Sequence, residues 1–313
     1  MITPPGRPRD SRPEAGVTSE KRCVRLERVL EKELETAIAL AQQASKAILE
    51  YYALEIIAEE KLGVDNLSEP VTIADKTASR IIVDGLIERF PGDAVLSEEE
   101  PDNQKKRLSS GRVWFIDPID GTAGFVKKEG DFAVQIGLAT SGEPVLGVVL
   151  LPFHGTLYCA VKGGGAFATT NGSEKQLHVS KRTDYREMYI ATSRNHRSKI
   201  TSQIKADFQI AGEVQRGSVG LKIGLIAEQV CDLYIHPSPR TKFWDTCGPQ
   251  VILEEAGGKL TDVFGYPIRY DIADVQNHNG LFASNGIAHE RTVRRLRPIL
   301  NEVGRHRILA KAG

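Results

Sequence analysis

One stretch decides the fold, because a run of strand-forming residues ends there in two acids, a proline and a glycine: Trp114-Phe115-Ile116-Asp117-Pro118-Ile119-Asp120-Gly121-Thr122. Residues Val113 to Ile116 predict a buried strand. We expect Pro118 to end the hydrogen-bonded ladder of that strand, since proline has no backbone N–H to donate. Gly121 permits the tight turn that follows. The sequence therefore presents two carboxylates at the end of a buried strand.

These two carboxylates predict a site for a hard metal ion. Asp117 and Asp120 flank a Pro-Ile pair, so both side chains and the Ile119 carbonyl can converge on one point. The stretch contains no Cys or His, and an all-oxygen donor set suits Mg²⁺ better than a soft metal. If a helix begins at Thr122, the backbone N–H groups of Gly121 and Thr122 offer a phosphate cradle. A simple polar turn remains the alternative, because Asp, Pro and Gly dominate turns for local reasons.

The length of 313 residues suits two domains of ordinary size. We expect a disordered tail over 1–22, an N-terminal α+β domain over 23–185 that carries most metal ligands, and a C-terminal α/β domain over 186–313 that carries the substrate-binding residues. The first residues are rich in Pro and Arg and are interrupted by acids. They lack the apolar centre of a signal peptide.

Charge and cysteine usage narrow the class of protein. Lys plus Arg number 41, as do Asp plus Glu, so no overall field favours a nucleic-acid polymer or an anionic membrane. No apolar run approaches the ~20 residues that span a bilayer. The cysteines lack the CxxC spacing of a zinc site and the framework of a secreted disulfide protein; they are Cys23, Cys159, Cys231 and Cys247. We therefore expect a cytoplasmic protein whose partner is identified by local motifs and not by its overall charge.

Apolar periodicity predicts helices and strands along the rest of the chain. We expect one long amphipathic helix, or two, from Cys23 to about Lys61. The other expected helices are Ala78 to Phe90, 198–207, Gly220 to Val230, a helix from Phe243 to Ala256-Gly257-Gly258, and a basic C-terminal helix. The expected strands are Ala94 to Leu96, Phe132 to Leu138, Pro144 to Leu151, Thr156 to Val161, Met188 to Thr192, Leu233 to Ile235 and Gly280 to Ala283. The second to fourth of these indicate an antiparallel sheet. We also expect an extended turn over 68–75, a loop over 101–112 and a hairpin turn at Gly163-Gly164-Gly165.

Three further acids stand at the ends of predicted elements. Asp75 lies near the start of a helix, where a carboxylate also serves as an ordinary cap. Glu98 directly follows a short buried strand, although acidic runs are usually solvated surface. Asp245 lies in the first turn of a late helix. Together with Asp117 and Asp120 they indicate a metal site, because pooled carboxylates repel one another in the absence of a cation.

The order of the motifs carries more information than each motif alone. Ser97-Glu98-Glu99 precedes the central stretch, and much later come Trp244-Asp245-Thr246-Cys247-Gly248-Pro249 and Glu255-Ala256-Gly257-Gly258. In this order they resemble the inositol monophosphatase family over about 30–300. The resemblance implies the sugar-phosphatase fold, an αβαβα arrangement in which an α+β domain precedes an α/β domain. It also implies a Mg²⁺-dependent, lithium-sensitive phosphomonoesterase.

The same resemblance implies roles for single residues. Glu98, Asp117 and the Ile119 carbonyl would bind one Mg²⁺, and Asp117, Asp120 and Asp245 would bind a second. Thr122 and Asp75 would together orient and activate the attacking water. Two ions can bind both the entering and the leaving oxygens of a phosphate ester, and Asp75 is needed because a Thr hydroxyl is a poor base by itself.

Within the family the sequence is most similar to the 3′(2′),5′-bisphosphate nucleotidases of the sulfate-assimilation type. Ser193-Arg194-Asn195-His196 and the stretch from Gly217-Ser218 to Lys222 resemble their nucleotide-binding segments, with departures at Asn195 and Leu221. The residues that the resemblance places at the substrate are Gly121, Thr122, Ser193, His196, Ser218, Lys222 and Asp245. The expected substrate is adenosine 3′,5′-bisphosphate, with its sulfated precursor as a second candidate.

The second, non-scissile phosphate of such a substrate needs cations. The residues available for it are Arg194, His196, Lys222, Arg240 and Lys242, and the stretch 236–242 contains no acid of the kind that binds inositol hydroxyls. For Arg240 and Lys242 an ordinary surface role is an equal alternative. Two alternative functions remain open: an inositol or other sugar phosphatase, and a non-catalytic binding protein of the same fold. The oligomeric state is also open between a monomer and a homodimer.

Overall fold

A computed structural model describes residues 30–54, 57–62, 68–194 and 199–309 of the chain. The tail predicted over 1–22 lies outside them. The helices are α1 (Glu31–Tyr52), α2 (Ile73–Arg89), α3 (Gln104–Ser109), α4 (Thr122–Val126), α5 (Lys199–Phe208), α6 (Val219–Ala227), α7 (Phe243–Glu255) and α8 (His289–Glu302). The strands are β1 (Ala58–Leu62), β2 (Ser68–Thr72), β3 (Ala94–Ser97), β4 (Arg112–Asp120), β5 (Ala133–Thr140), β6 (Glu143–Leu151), β7 (Thr156–Val161), β8 (Gly165–Thr170), β9 (Ser173–Gln176), β10 (Tyr189–Ser193), β11 (Gly212–Arg216), β12 (Leu233–His236), β13 (Lys259–Thr261) and β14 (Leu281–Ser284).

Two sheets form the frame of the molecule. Within the residues just given, seven strands follow the order β3-β4-β5-β6-β7-β8-β9, five follow β11-β10-β12-β14-β13, and β1 pairs with β2. In the larger sheet β3 and β4 are parallel and the later pairs are antiparallel, as the sequence predicts for its central strands. In the smaller sheet β10 is parallel to β11 and β12, and β14 is antiparallel to its neighbours.

Helices cover both faces of each sheet. On one face of the larger sheet, Ile48 of α1 and Ile82 of α2 share a buried cluster with Trp114 of β4. On its other face, α6 and α7 pack against strands β5 to β8. The same two helices cover one face of the smaller sheet, and α5 and α8 cover the opposite face, where Phe208 and Leu296 are buried. This confirms the predicted αβαβα fold.

Helix α7 lies against the backbone of the larger sheet because glycines line the contact. A Cβ atom added at Gly147 would lie 2.1 Å from the carbonyl oxygen of Gly248, and one added at Gly137 would lie 2.5 Å from the Gly248 nitrogen. Any larger residue would therefore push the helix off the sheet. The close approach brings the first turn of α7 to the end of β4.

The division of the chain at residue 185 stays a prediction. The larger sheet lies wholly before this residue and the smaller sheet wholly after it. Helices α6 and α7 belong to the later half, yet they pack against both sheets. The two halves are therefore packed together through these two helices.

Two predictions at the start of the chain are wrong. The one or two helices predicted from Cys23 to about Lys61 begin outside the described residues. Within the described residues, helix α1 ends at Tyr52, and the chain then enters the hairpin β1-β2. Glu and Lys favour helices, but pairing across the hairpin outweighs that preference. The extended turn predicted over 68–75 holds strand β2, which leads directly into α2. That helix therefore begins at Ile73 and not at Ala78.

The central stretch also differs from prediction, because Pro118 does not end its strand. Strand β4 runs on to Asp120 with an irregular register after Asp117. The loop predicted over 101–112 contains α3, whose first turn is capped by the Asn103 side chain. The partly polar strands β8, β9 and β11 were not predicted. The remaining predicted strands and helices are confirmed to within a few residues, as is the hairpin turn before β8.

Candidate active site

Three carboxylates from distant parts of the sequence meet at the end of β4. One oxygen from each of Asp117, Asp120 and Asp245 lies within 4.8 Å of the others. The first two belong to β4 and the third to the first turn of α7. The sequence prediction that these acids share a site is consistent with this geometry.

A bulge in β4 turns the first two acids toward one side. Asp117 lies opposite Gln135 of β5, whereas Asp120 lies opposite Ala133. Three steps along β4 therefore match two steps along its partner, so β4 contains one extra residue. In a regular strand, residues three apart face opposite sides of the sheet. The extra residue cancels that alternation and brings both carboxylates to the same site.

Asp117 is the most deeply buried member of the cluster. Its side chain is 1% exposed, and among the described residues its Oδ1 atom has no hydrogen-bond partner. Burial raises the pKa of Asp117 well above its usual range, and the charges of Glu98, Asp120 and Asp245 raise it further. A buried carboxylate oxygen without a donor is costly. A divalent cation would satisfy it.

Asp120 is held by one of its two oxygens. Its Oδ2 atom accepts hydrogen bonds from Gln135 Nε2 at 2.5 Å, Ser218 Oγ at 2.6 Å and the Gly220 nitrogen at 3.0 Å. Burial raises the pKa of Asp120, while the Lys222 charge and these hydrogen bonds oppose the rise. The three donors fix the side chain and orient it for ligand binding.

Asp245 is fixed by the start of its own helix. Its Oδ2 atom accepts a hydrogen bond from the Lys242 nitrogen at 2.5 Å. The pKa of Asp245 is raised to about 8, mainly because the side chain is buried and also because the charges of Asp120 and Glu98 lie near it. Glu98 lies outside the group of three, but its charge raises the pKa of both Asp117 and Asp245. The donor set is thus oxygen-rich and strongly anionic, which fits Mg²⁺.

The predicted pair of Asp75 and Thr122 is present beside this cluster. Thr122 Oγ1 donates to Asp75 Oδ1 at 3.1 Å, and it also lies 3.0 Å from the Ile119 carbonyl oxygen. The other oxygen of Asp75 accepts from the Thr72 nitrogen at 2.7 Å and from Thr72 Oγ1 at 2.6 Å. Asp75 is therefore a helix cap and a partner of Thr122 at once. Burial raises its pKa to about 6, and the hydrogen bonds from Thr72 oppose the rise.

Gly121 makes the turn between β4 and α4 possible. Its φ is +96°, and a Cβ atom there would lie 2.6 Å from the carbonyl oxygen of Asp131 and 3.2 Å from the Ser218 nitrogen. Ser218 itself has a φ of +52°, a strained value for a residue with a side chain. The two turns are thus packed against each other, with Asp120 bonded to the second.

Lys222 lies beneath the second turn and not at its surface. The side chain is 2% exposed, its ammonium donates to the Gly217 carbonyl at 3.1 Å, and it lies 5.0 Å from the centre of the Tyr234 ring. Burial lowers the pKa of Lys222 to about 8, although Asp120 and Asp131 act to raise it. The positive charge of Lys222 offsets part of the negative charge of the carboxylate cluster.

A cavity of about 580 Å³ is lined by residues of β10, β11 and β12, among them Tyr234. The predicted substrate residue Ser193 lines it, as does Arg240. The other predicted cations are placed differently. Arg194 is ion-paired with Asp131 at 2.9 Å, and the Lys242 ammonium lies 4.9 Å from the centre of the Trp244 ring. His196 lies outside the described residues.

Sequence reasoning missed two supporting residues. Asp131 accepts a hydrogen bond from the Gly217 nitrogen at 3.0 Å in addition to its pair with Arg194, and no local pattern links these distant positions. Gln135, which holds Asp120, is fully buried on β5. A polar residue inside an otherwise apolar strand was a usable signal for it.

The comparisons with known proteins agree with this geometry. The model of the inositol monophosphatase family matches residues 29–301. The 3′(2′),5′-bisphosphate nucleotidase CysQ of Escherichia coli (strain K12) is 35% identical over 243 residues, which span 76% of this chain and 93% of that protein. CysQ of Buchnera aphidicola is 31% identical over 258 residues, which span 81% of this chain and 94% of that protein.

Solved structures show the same fold. The IMPase of Thermotoga maritima matches with a TM-score of 0.74 at 26% identity, covering 87% of this chain and 100% of that one. CysQ from Bacteroides thetaiotaomicron, described as a bacterial member of the inositol monophosphatase family, matches with a TM-score of 0.70 at 28% identity, covering 82% and 98%. A match across most of its length, with three of the predicted acids gathered at one site, shows that this chain belongs to the inositol monophosphatase family of phosphatases.

Proposed function

We propose that the chain is a Mg²⁺-dependent phosphomonoesterase that removes the 3′-phosphate of adenosine 3′,5′-bisphosphate, giving AMP and phosphate. The sulfated precursor of that nucleotide is proposed as a second substrate. The observation that carries the proposal is the meeting of Asp117, Asp120 and Asp245, in which a buried oxygen of Asp117 lacks a donor. Asp and Glu oxygens are the ligands that Mg²⁺ prefers.

The proposed ligands are Glu98, Asp117, Asp120 and Asp245 together with the Ile119 carbonyl. When bound, Mg²⁺ would offset the negative charge of the phosphate ester and of the attacking oxygen. Gln135 and Ser218 hold Asp120 in place, and the start of α7 holds Asp245. The protein thus supplies fixed ligands, which limits the reorganisation needed during the reaction.

Thr122 and Asp75 are proposed to prepare the attacking water. The Thr122 hydroxyl donates to Asp75 Oδ1, so its oxygen lone pairs remain available to accept a hydrogen bond from a water. As that water attacks phosphorus, its proton passes to Thr122 Oγ1 while the Thr122 proton passes to Asp75 Oδ1. The bond between phosphorus and the 3′ oxygen breaks, and that oxygen leaves with the nucleoside and takes a proton from solvent. A carboxylate with a raised pKa is better suited to hold this proton at neutral pH.

The nucleotide assignment rests on the named relatives and on the cavity that Tyr234 lines. CysQ proteins carry the name 3′(2′),5′-bisphosphate nucleotidase, and the cavity of about 580 Å³ is lined by Tyr234, whose ring centre lies 5.0 Å from the Lys222 ammonium. That volume is in the range of small-molecule sites. Arg240 also lines this cavity and carries a positive charge. We propose that the nucleoside occupies it.

The proposal is tested by phosphate release from the purified protein with Mg²⁺. Adenosine 3′,5′-bisphosphate is compared with inositol 1-phosphate and fructose 1,6-bisphosphate at equal concentration. We expect kcat/KM to favour the nucleotide by about tenfold or more, which corresponds to ~1.4 kcal/mol of transition-state binding. Preference for a sugar phosphate would leave the proposed metal site standing but would contradict the proposed nucleotide substrate. If the protein releases phosphate from none of the three esters, the proposal that it is a phosphomonoesterase is contradicted.

A sugar or polyol phosphatase is the second candidate, because the fold also matches the Thermotoga maritima IMPase. Lithium inhibition is proposed for either activity and is tested in the same assay. In the part of the chain that the structure describes, no helix has the length and apolarity of a membrane span. A cytoplasmic location and a monomeric or homodimeric state are likewise proposed.

A further inference from the structure

Glu98 and Asp245 approach the cluster from different elements, one after β3 and the other in α7. The distance between the two carboxylates therefore depends on the contacts that hold α7 against the segment that follows β3. We infer that Arg107 of α3 is a positioning residue for the metal cluster, acting through a hydrogen-bonded bridge formed by residues 272–277. The inference rests on the metal site of the proposed function.

Arg107 forms one end of this bridge. The side chain is 3% exposed although it carries a charge, and it pairs with Asp102 at 2.8 Å. It also donates to the Ile272 carbonyl at 2.9 Å and to the Ala273 carbonyl at 2.8 Å. Gln104 adds a hydrogen bond to the same Ala273 carbonyl at 3.2 Å. The segment that follows Glu98 is thereby tied to the bridge.

The other end of the bridge holds the start of α7. The Phe243 nitrogen donates to the Val275 carbonyl at 3.0 Å, and Lys242 forms an isolated β-bridge with Gln276. Asn277 Nδ2 donates to the Lys242 carbonyl at 3.0 Å. Lys242 is the residue whose nitrogen binds Asp245. One segment thus contacts both the Glu98 side and the Asp245 side of the cluster.

Arginine is suited to this task because its planar group donates in several directions at once. Here one guanidinium satisfies a carboxylate and two carbonyls. A lysine at position 107 would keep the positive charge for Asp102 but could not reach both carbonyls, so the bridge would loosen. Residues that hydrogen-bond directly to metal ligands change metal affinity by roughly 10–100-fold when they are lost, and Arg107 acts one step further out, so we expect an effect at the lower end of that range.

The test measures Mn²⁺ binding by the full chain, using the electron paramagnetic resonance signal of free Mn²⁺. We expect Arg107→Lys to weaken Mn²⁺ binding about tenfold, while KM for substrate at saturating Mn²⁺ changes little. Arg112→Lys is the matched control. Arg112 also binds two carboxylates, Asp93 and Glu33, but it begins β4 whereas the cluster lies at its end. It should lose stability without losing Mn²⁺ affinity.

A second variant acts at the far end of the bridge. Asn277→Ala should also weaken Mn²⁺ binding, and the double variant should be little worse than the weaker-binding single variant, because both break one connection. Unchanged Mn²⁺ affinity in Arg107→Lys, or fully additive losses, would overturn the inference. If Arg107→Lys does not fold, Gln104→Ala is measured instead: a Mn²⁺ affinity below that of Arg112→Lys supports the bridge, and an unchanged affinity overturns it. Failure of the wild type to bind Mn²⁺ would instead overturn the proposed metal site.

Discussion

Thr122 and Asp75 are joined by a hydrogen bond of 3.1 Å although they lie 47 positions apart in the sequence. The Thr122 hydroxyl has one proton and a second acceptor within reach, the Ile119 carbonyl at 3.0 Å. Ile119 is a proposed metal ligand. A cation on its carbonyl oxygen would compete with the hydroxyl proton, so metal binding should direct that proton to Asp75.

Asp75→Asn should therefore lower kcat by roughly 10²–10⁴-fold, the usual contribution of a positioned acid or base. The amide oxygen of Asn can still accept from Thr72, so the loss of folding stability should stay below about 2 kcal/mol. Thr122→Ser keeps the hydroxyl and is the control that should remain active. Wild-type turnover in Asp75→Asn, measured at saturating Mg²⁺, would remove Asp75 from the mechanism.

Ser218 combines a strained backbone with a functional hydrogen bond. Ser218→Ala keeps the strain and loses the bond to Asp120, which is worth about 1.5–3 kcal/mol because its acceptor is charged. Ser218→Gly loses the same bond but relieves strain of about 1–2 kcal/mol. We expect urea unfolding to show the Gly variant as the more stable of the two.

A matched position separates backbone strain from function. Gln229 is exposed and has a φ of +66°. Gln229→Gly should exceed Gln229→Ala in stability by a similar ~1–2 kcal/mol, and neither should alter activity. Equal stability of the Ala and Gly variants at Ser218 would show that its backbone is not strained.

The metal-free protein should lose stability as the pH rises from about 4 to about 8. Burial raises the pKa of Asp75 to about 6 and that of Asp245 to about 8. In the unfolded chain both groups lose their protons near the ordinary value of 3.8. The folded state therefore holds more protons across this window, and each rise in pH favours unfolding until both groups are ionised.

Thermal unfolding in a chelator at several pH values checks this expectation. The melting temperature should fall across the window, and Mg²⁺ should raise it most at the alkaline end, where the carboxylates are charged. In Asp245→Asn the alkaline part of the fall should be smaller. A melting temperature that rises with pH in the metal-free wild type would contradict the assigned direction.

Gly121→Ala tests the packing of the two turns. The added Cβ atom would meet the Asp131 carbonyl at 2.6 Å, in a backbone conformation with φ at +96°. Clash and left-handed strain together should cost about 2–5 kcal/mol. At Gly92 an added Cβ atom meets no atom of the described residues within 4 Å, so Gly92→Ala should lie within about 0.5 kcal/mol of the wild type. Similar unfolding curves for both variants would argue against the close contact.

The sequence was most informative where chemistry and local geometry coincide. The central stretch, Glu98 and Asp245 were predicted as one site. The reason is that acids at strand and helix ends, in this order along the chain, resemble the motifs of one family. The hairpin β1-β2 was missed, since its charged residues continue a helical pattern. Asp131 was missed for a different reason: its partners Arg194 and Gly217 lie far away in sequence, and only tertiary packing brings them together.

The contact between Gly147 and Gly248 has a consequence for any attempt to divide the protein. The two glycines lie on opposite sides of residue 185 in the sequence. Because neither has a side chain, their backbones pack directly against each other. Fragments separated there would each expose a surface shaped for the missing piece, and neither would contain the whole group of three acids. Phosphatase activity regained on mixing the fragments would then serve as a reporter of their reassociation.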